Sequence, residues 1–258
     1  MPVADFYAED FHARTYECAP DGTLRIPQLL NFLQEAASNH AARLGFDFPV
    51  IDEATGARGA WVLAQIRLRL DRLPKWRDIV RVRTFPHDGR GLFALRDYAV
   101  ELADGTPCGI GTSRWMVIDP ATRRAVRIPA SVTAFRPPRE PLFGAGDPFE
   151  KPRYPDEPGA AESRREYRVM RSHIDLNGHV NNVHYVTWML ESVPSGTADA
   201  KSLRDIEIVY RSETLYGETV STRCAPLGEG RFAHRVCTPD GGRDHIVATT
   251  SWVPRTRH

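Results

Sequence analysis

Between residues 136 and 160 the chain reads RPPREPLFGAGDPFEKPRYPDEPGA. Proline fixes φ and lacks a backbone donor, so neither a central strand nor a long helix can run through such a stretch. The segment is expected to be a linker, partly ordered where Phe143, Phe149 and Tyr154 can anchor it. It divides the chain into residues 1–135 and 161–258. The 258 residues suffice for one large domain or two modest ones, and 41% hydrophobic content supports a core, or two.

The two halves follow one plan. In the first, IPQLLNFLQEAASNHAARLG repeats apolar residues every three or four positions at Leu30, Leu33, Ala37, Ala41 and Leu44. Pro27 suits a first helical turn and Gly45 a left-handed stop, so the spacing predicts a helix whose small residues let a sheet approach closely. WVLAQIRLRL then alternates with period two, setting Val62, Ala64, Ile66, Leu68 and Leu70 against Trp61, Leu63, Gln65, Arg67 and Arg69. DIVRVRTF, LFALRDYAVEL and PCGIGTSRWMVID continue it, broken at Pro74, DGRG and ADGTP, which are turn compositions. With a strand near residues 6–17, about five antiparallel strands are predicted in this half.

The second half repeats the order with little residue-by-residue likeness. SRREYRVM reads as a strand, and VHYVTWMLESV as a helix with an apolar stripe at Val183, Val186, Leu190 and Val193. DIEIVY, ETVSTRCAP, RFAHRVCTP and HIVATTSWV read as four further strands. The fold class is α+β, with each helix wrapped by an antiparallel sheet so that both bury their apolar faces.

Composition narrows function mainly by exclusion. Thirty-four Lys and Arg balance 33 Asp and Glu, so the net charge of +1 offers no bulk attraction for nucleic acid. No run of 18 apolar residues occurs and the first residues show no signal-peptide pattern, so a soluble cytoplasmic protein without membrane insertion is expected. Cys18, Cys108, Cys224 and Cys237 are scattered and never form CxxC, which suits reduced buried thiols.

One stretch breaks the pattern. HIDLNGHVNN, residues 173–182, gathers an Asp, three Asn and two His around a glycine just before the second helix. If the chain is extended there, Asp175, Asn177 and His179 share one face. Asn181 or Asn182 can cap the helix, whose N-terminal N–H groups and dipole favour developing negative charge. An amide, an imidazole and a carboxylate at that place suit carbonyl chemistry. The alternatives are an ordinary turn and cap, or a metal site using His173, Asp175, His179 and His184. The spacing matches no standard zinc signature, so no metal is expected. GxSxG is absent, which argues against a Ser–His–Asp hydrolase.

DLNGHVNNVHYVTWMLESVP, residues 175–194, resembles the signature of acyl-acyl-carrier-protein thioesterases, the double-hotdog enzymes of plants and bacteria. IEIVYRSET, residues 206–214, resembles that family's Tyr-Arg-Arg-Glu segment, with Ser212 in place of an Arg and Thr214 in place of a frequent Cys. The first helix and WVLAQIRLRLDRLPKWRDIVRVRTFP resemble its N-terminal domain. The resemblance implies a tandem hotdog, with residues 1–135 binding the acyl chain and residues 161–258 carrying the chemistry. It implies catalytic roles for Asp175, Asn177, His179 and, on the following strand, Glu213. Asn177 and backbone N–H groups would polarise a thioester carbonyl, Glu213 and His179 would activate water, and Asp175 would orient the group. An Asp-mediated anhydride is the mechanistic alternative. For Glu213, an ion pair with Arg211 at a strand edge is the structural alternative; for Asp175, a cap on the Gly178 turn.

The same resemblance places the acyl chain between the first helix and its sheet, with Leu29, Phe32, Leu33, Trp61 and Leu63 shaping the pocket. No cofactor is implied. The implied partner is acyl carrier protein, or a CoA thioester, as substrate carrier. Its acidic surface would dock on Arg67, Arg69, Arg72, Lys75, Arg77, Arg123 and Arg124. The competing readings are a hotdog acyl-CoA thioesterase and a non-catalytic acyl-binding or dehydratase-like hotdog. Two hotdogs in one chain can be complete as a monomer, and a homodimer stays open.

Overall fold

The computed structural model describes residues 6–46, 50–51, 58–119, 121–128, 140–144 and 146–255. The chain divides into two compact units, Met1–Pro148 and Phe149–His258.

The first unit runs β1 (Tyr7–His12), α1 (Ile26–Arg43), β2 (Val50–Ile51), β3 (Arg58–Leu70), β4 (Ile79–Arg90), β5 (Phe93–Leu102), β6 (Pro107–Ile118) and β7 (Ala125–Val126). Its sheet is antiparallel in the order β1-β4-β5-β6-β3, with β2 on β3 and β7 on β6. Helix α1 starts and stops where its residues dictate. Arg25 before it is extended, Pro27 sits in the first turn, and Gly45 just past the end has φ 78°. Its buried face is Leu29, Leu30, Phe32, Leu33, Ala36, Ala37 and His40, packed on β4 and β1. Each fully buried Leu or Phe contributes about 1.5–3 kcal/mol, and the alanines allow close approach.

The alternation in β3 is not the unbroken one that its residues suggest. Leu63 pairs with Trp115 and Gln65 with Arg114, which leaves Ala64 as the extra residue of a bulge. The bulge flips the pleat. Leu63, ahead of it, is therefore buried like Ile66, Leu68 and Leu70, whereas Val62 and Ala64 are only half-buried. A period-two count cannot foresee this, because the inserted residue is defined only by its partner strand.

Polar groups are also buried here. Arg96 on β5 donates to Thr84 Oγ1 at 3.1 Å and lies 3.1 Å from His40 Nδ1. Burial, with the Arg96 charge second, lowers the His40 pKa to about 4. The linker is anchored as expected at Phe143, whose ring lies under Arg67 and Arg69 at 5.2 and 5.7 Å, while Leu142 N donates to Asp97 at 2.7 Å.

The second unit runs β8 (Ser163–Arg168), α2 (Asn182–Leu190), the single turn α3 (Ser195–Ala198), β9 (Lys201–Tyr210), β10 (Thr219–Gly228), β11 (Arg231–Cys237) and β12 (Asp244–Pro254). Its antiparallel order is β8-β10-β11-β12-β9. Leaving β2 and β7 aside, this is the same permutation as in the first unit: first strand, third, fourth, fifth, second. The repetition visible as order in the sequence is therefore a repetition of topology, and the chain is a tandem hotdog of class α+β.

Helix α2 is nine residues long and packs on β10 and β11. It ends at Leu190 with Glu191 as C-cap, short of the expected run to Val193. Val183, Val186 and Val193 of the expected stripe are buried and Leu190 half-buried, but the buried face is wider, adding Tyr185, Trp188 and Met189. All four cysteines are buried and free. No helix among the described residues is long and apolar enough to cross a membrane.

Candidate active site

HIDLNGHVNN is a closed turn, not an extended strand. Ile174 bridges Val180, Asp175 N donates to His179 O at 3.0 Å, and Gly178 N donates to Asp175 O at 3.0 Å. Gly178 has φ 83°, a conformation that side-chain-bearing residues rarely adopt. The side chains of Asp175, Asn177 and His179 are thus not aligned by strand alternation. Asp175 Oδ1 accepts from Asn177 N at 2.8 Å, so this carboxylate braces its own turn. Asn177 is exposed, and its amide makes no hydrogen bond among the described residues.

The turn leads directly into α2. Asn181 is the N-cap: its side chain accepts from Val183 N at 3.1 Å, and its carbonyl accepts from His184 N at 3.0 Å. This fixes the motif at a helix N-terminus, and it corrects one expectation. The N–H groups of Val183 and His184 are already satisfied by Asn181, so they do not stand ready for a substrate carbonyl.

One backbone bond then creates a pairing of two of the expected residues. Val180 N donates to Thr214 O at 3.0 Å. The residues just before each partner, His179 and Glu213, are brought together by it. His179 Nε2 stands 3.1 Å from Glu213 Oε2, with about a third of each side chain exposed, 34% and 35%. Glu213 is not on the strand, where it was expected. β9 ends at Tyr210, and beyond it Arg211 N and Ser212 N both donate to His245 O, which carries the chain out of the ladder. Nor does Arg211 turn to Glu213: its guanidinium donates to Asp244 Oδ2 at 2.8 Å.

The residues weighed for a metal are arranged otherwise. His173 and His184 lie with ring centroids 4.7 Å apart, and His173 meets Trp188 edge-on at 5.1 Å. Burial lowers the pKa of both imidazoles, and for His184 the neighbouring His173 adds to it. Among the described residues no group of three or more His, Cys, Asp and Glu is arranged to hold a metal ion.

Of the residues expected around the acyl chain, Leu29, Phe32 and Leu33 lie on the buried face of α1 and Leu63 is buried on β3. Phe32 stacks on Phe11 at 4.6 Å. Trp61 packs with Ala94, Val117 and Ile128 and donates from Nε1 to Phe46 O at 2.9 Å. Among the arginines, Arg67 donates to Pro148 O and shares Phe143 with Arg69, so both help hold the linker. Arg72, Lys75, Arg77, Arg123 and Arg124 are exposed.

Residues 4–135 match the acyl-ACP thioesterase N-terminal domain, and residues 156–254 match the C-terminal domain of the same family. The chain belongs to the acyl-ACP thioesterase family. Among curated relatives of this family member, the chloroplastic palmitoyl-acyl carrier protein thioesterase of Gossypium hirsutum is 30% identical over 268 residues. That match takes in 96% of this chain and 64% of the cotton protein, so the chain spans just under two thirds of that relative. Among solved structures, the 12:0-ACP thioesterase from Umbellularia californica superposes with a TM-score of 0.85 at 25% identity, covering 98% of both chains. The acyl-ACP thioesterase from Bacteroides thetaiotaomicron superposes with a TM-score of 0.81 at 25% identity, covering 96% of this chain and 98% of that one.

Sequence reading missed a group of polar side chains behind Glu213. Tyr185 donates to Thr214 Oγ1 at 2.8 Å, and Thr214 Oγ1 and Ser212 Oγ lie 3.1 and 3.0 Å from His245 Nδ1. Burial pushes the Tyr185 pKa up to about 12 and lowers that of His245, with the Arg243 charge second for His245. The available signal was the departure from the family segment: Ser212 and Thr214 both carry hydroxyls where Arg and Cys are frequent.

Proposed function

We propose that this family member is a thioesterase that hydrolyses acyl-acyl carrier protein and releases the free fatty acid. The observation that carries the reading is the partly exposed pair His179–Glu213, 3.1 Å apart at the mouth of α2. A carboxylate hydrogen-bonded to an imidazole can take a proton from water and return it to a leaving group. In this mechanism Glu213 accepts the proton as water adds to the thioester carbonyl, and His179 holds the carboxylate in place. The tetrahedral intermediate then breaks its C–S bond, and the proton passes to the departing thiolate. The exposed amide of Asn177 donates to the carbonyl oxygen as it gains charge. Asp175 acts one step back, since its bond to Asn177 N sets the turn that presents that amide.

We assign the acyl chain to the first unit, with Leu29, Phe32, Leu33, Trp61 and Leu63 in its lining, and carrier docking to the exposed Arg72, Lys75, Arg77, Arg123 and Arg124. The chemistry needs no cofactor. The deciding experiment is release of free thiol from acyl carrier protein bearing chains of eight to eighteen carbons, run beside the matching acyl-CoAs. Turnover on the carrier protein with much weaker turnover on CoA is expected. Equal or better turnover on CoA moves the substrate to the acyl-CoA class, and no turnover on either ends the enzyme reading.

A further inference from the structure

Glu213 is flanked by two residues that face away from it into a buried network. Ser212 Oγ and Thr214 Oγ1 converge on one atom, His245 Nδ1, at 3.0 and 3.1 Å. Thr214 Oγ1 also receives the Tyr185 hydroxyl at 2.8 Å, and Ser212 Oγ donates to Asp244 O at 2.7 Å. Thr214, His245 and Tyr185 are 0%, 1% and 3% exposed. The backbone is tied as well: Arg211 N and Ser212 N bond His245 O at 2.8 and 3.4 Å, and Thr214 O accepts from Val180 N at 3.0 Å. The tripeptide Ser212–Glu213–Thr214 is thus fastened to β12, to α2 and to the chain leaving the motif.

The hydrogens can be assigned by inventory. The single Ser212 proton goes to Asp244 O, so the Ser212–His245 contact requires the hydrogen on Nδ1. Thr214 then accepts from Tyr185 and from that same N–H. With the hydrogen on Nδ1 the imidazole is neutral and faces both hydroxyl oxygens without placing a charge behind Glu213.

We propose that His245 is a positioning residue that, with Thr214 and Tyr185, holds Glu213 at His179 for proton transfer. The proposal rests on Glu213 being the base of the mechanism above. Its physical ground is where the network lies. Residues 211–215 have left the ladder, and a loop of this kind is ordinarily mobile. A displacement of about 1 Å at a reacting group costs on the order of 10²-fold in rate. Buried hydrogen bonds converging on His245 supply the rigidity that the missing strand does not.

The test is a mutant cycle with the best acyl thioester as substrate. Thr214→Val keeps the shape and removes the hydroxyl, Thr214→Ser keeps the hydroxyl, and Tyr185→Phe removes one donor with little change of volume. Thr214→Val is expected to lower kcat about tenfold or more with little change in KM, Tyr185→Phe to lower it less, and Thr214→Ser to stay near wild type. In a Glu213→Ala background, single-turnover rates should show no further loss from Thr214→Val or Tyr185→Phe. Losses of equal size in both backgrounds overturn the positioning role, and so does an unchanged kcat in folded Tyr185→Phe and Thr214→Val. A wild-type rate in Glu213→Ala alone is a separate failure, that of the mechanism itself.

Discussion

His179 and Glu213 meet at 3.1 Å although neither lies in a regular element, because a backbone bond between their chain neighbours, Val180 and Thr214, sets the approach. If this pair moves the proton, Glu213→Ala and His179→Ala should each lower kcat by about 10²-fold or more. KM should change little in comparison, since neither group is assigned to binding. Steady-state kinetics on one acyl-carrier substrate checks both. A near-wild-type Glu213→Ala would falsify its role as base.

Asn177 and Asp175 are expected to separate. Asn177→Ala should cost about 10²–10³-fold in kcat if its amide meets the developing oxyanion. Asp175→Asn keeps an acceptor for Asn177 N and should be milder than Asp175→Ala, which leaves the turn unbraced. Equal losses in Asp175→Asn and Asp175→Ala would point instead to a need for the charge itself.

Asn181 should matter to stability. Replacing it with Ala removes the acceptor for Val183 N and is expected to destabilise the fold by about 1 kcal/mol. Urea denaturation measures it. No change would mean that water satisfies that N–H equally well.

Stability should fall on mild acidification. Burial lowers the pKa of His40 to about 4 and of His234 to about 3, while the unfolded chain keeps values near 6.5. Below about pH 6.5 the unfolded chain binds protons that these folded imidazoles refuse. Their contribution, complete above that pH, is therefore lost progressively as pH drops toward the folded values. Each site gives a slope of up to about 1.4 kcal/mol per pH unit. Between pH 6.5 and 5, where most carboxylates are still ionised, His40→Gln or His234→Gln should flatten the dependence measured by urea midpoints. An unaltered slope in both variants would place the sensitivity elsewhere.

Thiol chemistry should be silent in the native state. All four cysteines are buried, and burial raises the pKa of Cys108 to about 11 and of Cys224 to about 12. A chromogenic disulfide reagent should find no fast-reacting thiol until denaturant is added and then titrate all four, with hydrolysis unaffected by prior alkylation. Loss of activity on alkylation of folded protein would contradict this.

Local sequence determined much of this protein by itself. Pro27 and Gly45 bound α1, and Asn181 caps α2, because caps and strand periods are decided within a few residues. The order of elements, repeated on either side of the proline-rich segment, was enough to anticipate two like sheets. Tertiary structure decided what depends on a distant partner. The bulge at Ala64 exists only against Trp115 and Arg114 of β6. The turn of HIDLNGHVNN closes on itself because Gly178 takes a positive φ and Asp175 bonds Asn177 N, where alternation alone suggested an extended face. Glu213 could be matched to a family position from sequence. Its distance from His179, and the hydroxyls that turn from its flanks to His245, depend on β12 and α2 meeting the loop after β9. Periodicity reports which face a residue prefers; which residues share a hydrogen bond is set when distant segments pack.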